Sequence, residues 1–350
     1  MRTPSPVSSS ADVGQILWSL AERQDLSVQA MTALMEQMLA GQISDEDVAA
    51  LLMALKAKGE TGEEIAAAAD VLRGHMTRLP AGRRGILDTC GMGGDGAQTF
   101  NISTATAFVA AGAGVPVVKH GNRAISSRCG SADVLQQLGV SLSVSETDAR
   151  RLLDDVGCVF CFAPHFHPLL RQFADLRRRL GVRTLFNLLG PLANPAGAEY
   201  QLIGVAQPEL LDPLANAVAR LGAARAVLVC GTDGMDEVSL GSATLARIVQ
   251  GGKIDSAAWT AADFGLESCT IDELRVESPA ASAAVIRAVL GGCDGPARRT
   301  VLANAAAALF TAQRVTDLRE GVALASQSID SGRAQRVLER LTGDGVRDQL

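Results

Sequence analysis

Apolar residues recur every three or four positions through the first 80 residues, and this spacing predicts helices at about Asp12–Arg23, Val28–Ala40, Glu46–Lys58 and Glu63–Leu79. Ser27 and Ser44 stand where N-caps belong, and Thr61-Gly-Glu-Glu64 reads as a capping box. Pro80-Ala-Gly82 should stop the fourth helix. From Gly85 the texture changes. Short runs rich in Val and Ile predict strands at Ile86–Asp88, Val115–Lys119, Val156–Phe162, Leu202–Val205 and Ala226–Val229. Helical patterns alternate with them at Ala105–Ala113, Ala132–Leu138, Pro208–Leu221 and Ala281–Leu290, and the stretch from Pro296 is helical again. The alternation predicts an α/β fold: a small N-terminal helical domain over 13–82, then a large α/β domain over 83–350 with a central, mostly parallel sheet.

Composition narrows the function classes. Aromatic residues make up 3% of the 350, so the core must be built from Ala, Val, Leu and Ile. A net charge of −6 argues against nucleic acid as the main partner. No stretch reads as a membrane span, and Met1–Asp12, Ser/Pro-rich without an apolar run, reads as a disordered lead-in rather than a signal peptide. These features together lead us to expect a cytoplasmic protein. The 7 cysteines are odd in number and scattered, which argues against a disulfide framework. Cys158-Val-Phe-Cys161 has CxxC spacing but lies in an apolar run, so it reads as core. His165 and His167 form an HxH pair with no third ligand motif, and also read as structural.

The chemistry-bearing residues fall in loops that follow strands. Asp88-Thr-Cys-Gly-Met-Gly-Gly-Asp-Gly96 is glycine-rich, which lets backbone N–H groups crowd around an anion. It is neither a Walker sequence nor a clean dinucleotide fingerprint. Thr99-Phe-Asn-Ile-Ser-Thr104 then opens a helix, where free N–H groups favour an anion. Ser103 and Thr104 could equally be ordinary caps. Lys119-His-Gly-Asn-Arg123 leads a donor-rich loop running through Ser126 and Ser127 to Ser131. Lys119 is one of only four lysines, which suggests that an ammonium is needed there. Asp236 and Glu237 are adjacent carboxylates after another apolar run, hard oxygen ligands suited to magnesium beside phosphates. Arg177-Arg-Arg179 could be a solvated face, or one of the three could hold a carboxylate.

Taken together, the ordered motifs resemble the anthranilate phosphoribosyltransferase family. The family's Gly-Thr-Gly-Gly-Asp loop is similar to Gly91–Asp95, with Met92 in place of Thr. Its Asn-Ile-Ser-Thr matches Asn101–Thr104, its Lys-His-Gly-Asn-Arg loop matches Lys119–Ser131, its Leu-Gly-x-Arg-Thr run matches Leu180–Pro195, and its Asp-Gly-x-Asp-Glu matches Asp233–Glu237. The resemblance covers roughly Leu79 to the C-terminus. It implies a homodimer whose helical domain also takes in about 164–198. It implies that Gly91, Gly94, Asp95, Thr99, Asn101, Ser103, Thr104, Lys119, Ser127 and Ser131 bind phosphoribosyl pyrophosphate. Gly91, Asn122 and Arg177 would bind anthranilate, with Arg177 at its carboxylate. Ser103 would ligate one magnesium, and Asp236 and Glu237 a second. No general base is identifiable. The rival readings are a pyrimidine nucleoside phosphorylase-like enzyme and a catalytically silent relative that binds nucleic acid. The first lacks the Lys-His-Gly-Asn-Arg string and the Asp-Glu pair; the second should carry a basic surface and degraded loops.

Overall fold

The computed structural model describes residues 12–123 and 129–344. Ser127 and residues 1–11 of the expected lead-in lie outside the described residues. Asp12 does not belong to that lead-in, because its carboxylate caps the first helix by accepting from Gly14 N at 3.0 Å.

Four helices open the chain: α1 (Val13–Ala21), α2 (Val28–Leu39), α3 (Asp45–Lys58) and α4 (Gly62–His75). Ser27 and Ser44 cap α2 and α3, and α3 carries Asp45, Glu46 and Asp47 in its first turn against Lys56 and Lys58 in its last, as the helix dipole favours. The Thr61 capping box forms, and its glutamate does more than cap. Glu64 is fully buried and accepts from Thr61 N at 2.8 Å, Leu26 N at 2.8 Å and Lys58 Nζ at 2.9 Å. Helix α4 ends at His75, well before the predicted stop at Pro80, and Met76 is already extended.

The large body alternates as the sequence predicts. Its elements are β1 (Leu87–Asp88), α5 (Ile102–Gly112), β2 (Val117–Gly121), α6 (Ser131–Leu138), α7 (Glu146–Asp155), β3 (Cys158–Phe162), α8 (Ala163–Phe166), α9 (Ala174–Leu180), α10 (Leu185–Leu189), β4 (Tyr200–Gly204), α11 (Leu211–Arg220) and β5 (Arg225–Gly231). There follow β6 (Thr244–Gln250), β7 (Lys253–Trp259), α12 (Ala261–Phe264), α13 (Pro279–Leu290), α14 (Pro296–Thr311), α15 (Leu318–Asp330) and α16 (Arg333–Asp344). The sheet order is β3-β2-β1-β4-β5-β6-β7. The first five strands are parallel, while β6 and β7 are antiparallel and turn at Gly251-Gly252, both at positive φ.

Strand periodicity divides the core. On β4 and β5, Leu202, Val227 and Val229 face one apolar cluster with α5, α13 and α14, while Ile203, Ala226, Leu228 and Cys230 face a second with the helical bundle and α11. Leu176, Leu185, Phe186, Leu188 and Leu192 join the second cluster, so the segment after β3 packs with the bundle. Cys158 and Cys161 are both buried in β3.

Between Leu189 and Tyr200 the chain makes one short 3-10 turn at Gly190–Leu192 and is otherwise irregular, yet Pro191–Pro195 is buried. Each carbonyl from Gly190 to Pro195 has a donor. Gly190 O accepts from His120 Nδ1 at 3.0 Å, Pro191 O from Gln201 Nε2 at 2.6 Å, and Leu192 O from Arg73 Nε at 2.6 Å. Ala193 O accepts from His167 Nε2 at 3.0 Å, and Asn194 O and Pro195 O accept from the N–H groups of Gly197 and Leu79 at 3.0 Å. The Asn194 amide adds bonds to Asp88 at 2.7 Å and to Val118 O at 2.8 Å. A carbonyl only accepts, so these bonds fix both imidazole tautomers. Burial holds His120 neutral, its pKa lowered to about 3, and lowers His167 to about 4.

Two outcomes follow for stability. Glu64→Ala removes the cap and leaves Leu26 N without its acceptor, while Lys58 keeps Asp25 at 2.7 Å and Gly59 O at 2.8 Å; urea denaturation should show a loss of about 2–3 kcal/mol. The unfolded chain protonates its histidines below about 6.5, whereas folded His167 stays neutral down to about 4. Its contribution is therefore lost as pH falls from about 6.5 towards 4. His167→Gln, less stable at pH 7, should regain ground on the parent by roughly 1 kcal/mol per unit below about pH 6.5; a pH-independent gap between the two denaturation midpoints would contradict this.

Candidate functional site

A cleft of about 650 Å³ opens where the loops after β1, β2 and β5 meet the segment that packs with the helical bundle. This is the C-terminal edge of the parallel strands, where α/β sheets place ligands. Gly91, Gly94, Asp95, Thr99, Asn101, Ser103, Lys119, Asn122, Ser131, Arg177, Asp236 and Glu237 all line it. Two expected residues remain. Ser127 lies outside the described residues. Thr104 is buried with its hydroxyl on the Asn101 side chain, and Asn101, not Ser103 or Thr104, is the N-cap of α5.

The glycine loop folds against the Asp-Glu loop. Gly93 and Gly94 take φ of 64° and 71°, open to glycine at little cost. A Cβ on Gly91 would come within 2.9 Å of Asp236 Oδ2, and one on Gly204, at the end of β4, would run into the Asp236 carbonyl. Gly93 N donates to Asp236 Oδ2 at 2.7 Å, and Met92 N donates to Gly204 O at 2.9 Å. The Met92 side chain is buried in the cluster shared with the bundle, so packing accounts for this departure from the family's Thr. Asp95 closes the loop, accepting from Ala97 N at 3.1 Å.

Lys119 projects from β2 beneath this loop. It is buried, and its Nζ donates to Thr89 O at 2.9 Å and Ser103 Oγ at 3.1 Å. The ammonium thus ties β1 to the start of α5. Further along, Asn122 O accepts from Ala132 N at 3.2 Å and from Ser131 Oγ at 3.3 Å, so the loop leaving β2 is pinned to the start of α6.

Charge is sharply divided within the cleft. Burial, then the neighbouring Asp95, pushes the Asp236 carboxyl up to about 7. Burial, then Asp236, pushes Glu237 well above the usual carboxylate range. Arg183 counters Asp236 and also donates to Gly93 O at 3.3 Å; its place in the Leu180–Pro195 run was visible in the sequence, but its reach to the glycine loop was not. Among the described residues no group of three or more His, Cys, Asp or Glu side chains is arranged to hold a metal alone. Two crowded carboxylates beside an anion site instead suit a hard cation that shares its coordination with substrate oxygens.

The arginine run separates by role. Arg178 pairs with Asp175 at 2.8 Å and Arg179 with Asp45 at 3.1 Å, both exposed. Arg177 is half-buried in the cleft, has no carboxylate partner among the described residues, and burial lowers its pKa. A desolvated, unpaired guanidinium is a receptor for a carboxylate.

Residues 83–335 match the profile of the glycosyl transferase family a/b domain, and residues 15–76 that of its helical bundle domain. The chain is 47% identical over 329 residues to the anthranilate phosphoribosyltransferase of Desulfitobacterium hafniense strain Y51, covering 94% of this chain and 98% of that one. It is also 47% identical to the enzyme of Symbiobacterium thermophilum, covering 93% and 96%. Among solved structures, the Thermus thermophilus anthranilate phosphoribosyltransferase superposes with a TM-score of 0.87 at 42% identity, covering 94% and 98%. The Saccharomyces cerevisiae enzyme, solved in complex with PRPP and Mg, superposes at 0.86 with 29% identity, covering 97% and 99%. With its two domains, its loop geometry and its relatives in agreement, the chain belongs to the anthranilate phosphoribosyltransferase family.

Proposed function

We propose that the protein transfers the 5-phosphoribosyl group from phosphoribosyl pyrophosphate to the amine of anthranilate, in tryptophan biosynthesis. The C–O bond to pyrophosphate breaks, the C–N bond forms, and the amine gives up a proton. The products are N-(5-phosphoribosyl)anthranilate and pyrophosphate. The carrying observation is that one cleft brings together a glycine loop, a helix start and Lys119 with Arg177, which has no carboxylate partner among the described residues.

In this reading the donor lies along Gly91, Gly94, Asp95, Thr99, Asn101, Ser103, Lys119 and Ser131. The backbone N–H groups at the start of α5 and the Lys119 ammonium hold its anionic end. Thr104 acts one step back, by fixing the Asn101 side chain. Arg177 takes the anthranilate carboxylate and Asn122, with Gly91, the rest of the acceptor. Holding both substrates in line supplies much of the rate without a nucleophilic side chain. Asp236, Glu237 and the Ser103 hydroxyl would hold a pair of magnesium ions in each subunit, since a cation there would offset the crowding and favour the deprotonated carboxylates it needs as ligands. Bound magnesium neutralises charge on the departing pyrophosphate.

We also propose a homodimer, formed through the helical bundle. Trp18 on α1 is 70% exposed, and Val28 and Met53 on α2 and α3 are exposed as well, apolar side chains that a partner subunit would cover.

Loss of anthranilate fluorescence should require both phosphoribosyl pyrophosphate and magnesium and should stop with EDTA; no loss under any condition would overturn the assignment. Asp236→Asn combined with Glu237→Gln should slow turnover by at least about 100-fold, while parental rates would remove the metal role. Sedimentation should give twice the chain mass for the parent and the single chain mass for Trp18→Glu; a monomeric parent would refute the dimer.

A further inference from the structure

Arg73 sits in the last turn of α4, outside the cleft, and is half-buried. Its guanidinium donates to two carbonyls, Leu192 O at 2.6 Å and Leu221 O at 3.5 Å, and to no carboxylate among the described residues. Burial lowers its pKa. A desolvated charge held only by backbone is an expensive way to join two segments, and an apolar side chain would pack there at lower cost. What the guanidinium adds is direction, since its planar fork fixes where a carbonyl must lie.

The captured carbonyl belongs to a turn that forms a wall of the cleft. Gly190 and Pro191 line it, one and two residues before Leu192. Gly190 O in turn orients the His120 ring, which lines the cleft from β2. Gln201 on β4 holds the same turn from the sheet side, through Pro191 O at 2.6 Å. Displacing Leu192 would therefore move Pro191 and His120 together. Arg177, Phe186 and Asn187, from the segment that leads into this turn, line the cleft with them.

We infer that Arg73 is a positioning residue for the acceptor: from the helical bundle it sets the Gly190–Leu192 wall against which anthranilate is held. This rests on the proposed reading of the cleft. It assigns a binding role to a side chain that touches neither substrate, and it predicts an effect confined to one of them.

The test measures both KM values, kcat and urea stability for the parent, Arg73→Gln and Arg73→Lys. Parental turnover of anthranilate checks the underlying reading separately. For Arg73→Gln, the KM for anthranilate should rise about tenfold while the KM for phosphoribosyl pyrophosphate stays within about twofold. Arg73→Lys, which keeps the charge but not the fork, should fall between the parent and Arg73→Gln. Hydrogen exchange in the 186–197 segment, measured on the full-length protein without substrates, should quicken in Arg73→Gln and leave the glycine loop unchanged. Lower stability with both KM values unchanged would make Arg73 purely structural and overturn the inference, as would an equal rise in both. Unchanged exchange in 186–197 would overturn it even if the parent does not turn over anthranilate.

Discussion

Irregular backbone can be buried only if its carbonyls find donors, and the turn from Gly190 to Pro195 meets that demand by recruiting the rest of the molecule. Its six carbonyls are held from α4, from the segment that follows it, from β2, from the short helix α8 region, from β4 and from within the turn. Asn194 extends the network to Asp88, buried at the end of β1, where desolvation raises the carboxyl to about 6. Apolar contacts between the helical bundle and the sheet are non-directional, and this clasp adds direction to them. With it, their relative placement is specified by hydrogen bonds of fixed geometry, and the cleft between them has a defined width.

On the sheet side, a lack of side chains does similar work. Gly91 and Gly204 let the glycine loop, the end of β4 and the Asp236 backbone come into contact that a methyl group would forbid. That proximity crowds Asp95, Asp236 and Glu237 together, and burial, reinforced by the crowding, raises the Asp236 and Glu237 carboxyls above their ordinary range. Lys119 counters Glu237 and Arg183 counters Asp236, yet both carboxyls stay raised. The carboxylate end of the cleft thus keeps unneutralised acidic groups beside the backbone donors of the glycine loop.

The parts that were legible in the sequence are those whose signal is local. Ser27, Ser44 and Thr61 announced their helices because a cap and the N–H it serves lie within three residues. The parallel strands showed as Val- and Ile-rich runs because both their faces are covered. The Gly91–Asp95, Lys119–Ser131 and Asp236-Glu237 loops stood out as chemistry-rich strings following strands. What was missed depends on distant partners or on overlooked turn chemistry. Thr104 looked like a ligand but serves Asn101, a choice set by how α5 begins. Helix α4 stops before its proline because Thr77 N is drawn to Phe166 O at 2.8 Å, 89 positions away in the chain. Arg73 carried no motif at all. The β6–β7 hairpin, absent from the predicted strands, does carry a local mark in Gly251-Gly252 between alternating residues.

That hairpin also settles how the sheet ends. A terminal strand offers a row of unpaired backbone groups to any passing chain, and β7 is such a strand. Lys253, Asp255 and Ser256 are exposed along it, while β3 at the opposite end is almost wholly buried. A strand from another copy adding to β7 would have to strip water from both charges, and at β3 it would first have to displace the covering structure. The two antiparallel strands therefore act as a selvedge, finishing a fabric that parallel strands alone would leave open to unwanted growth during synthesis, when many unfinished copies share the same space.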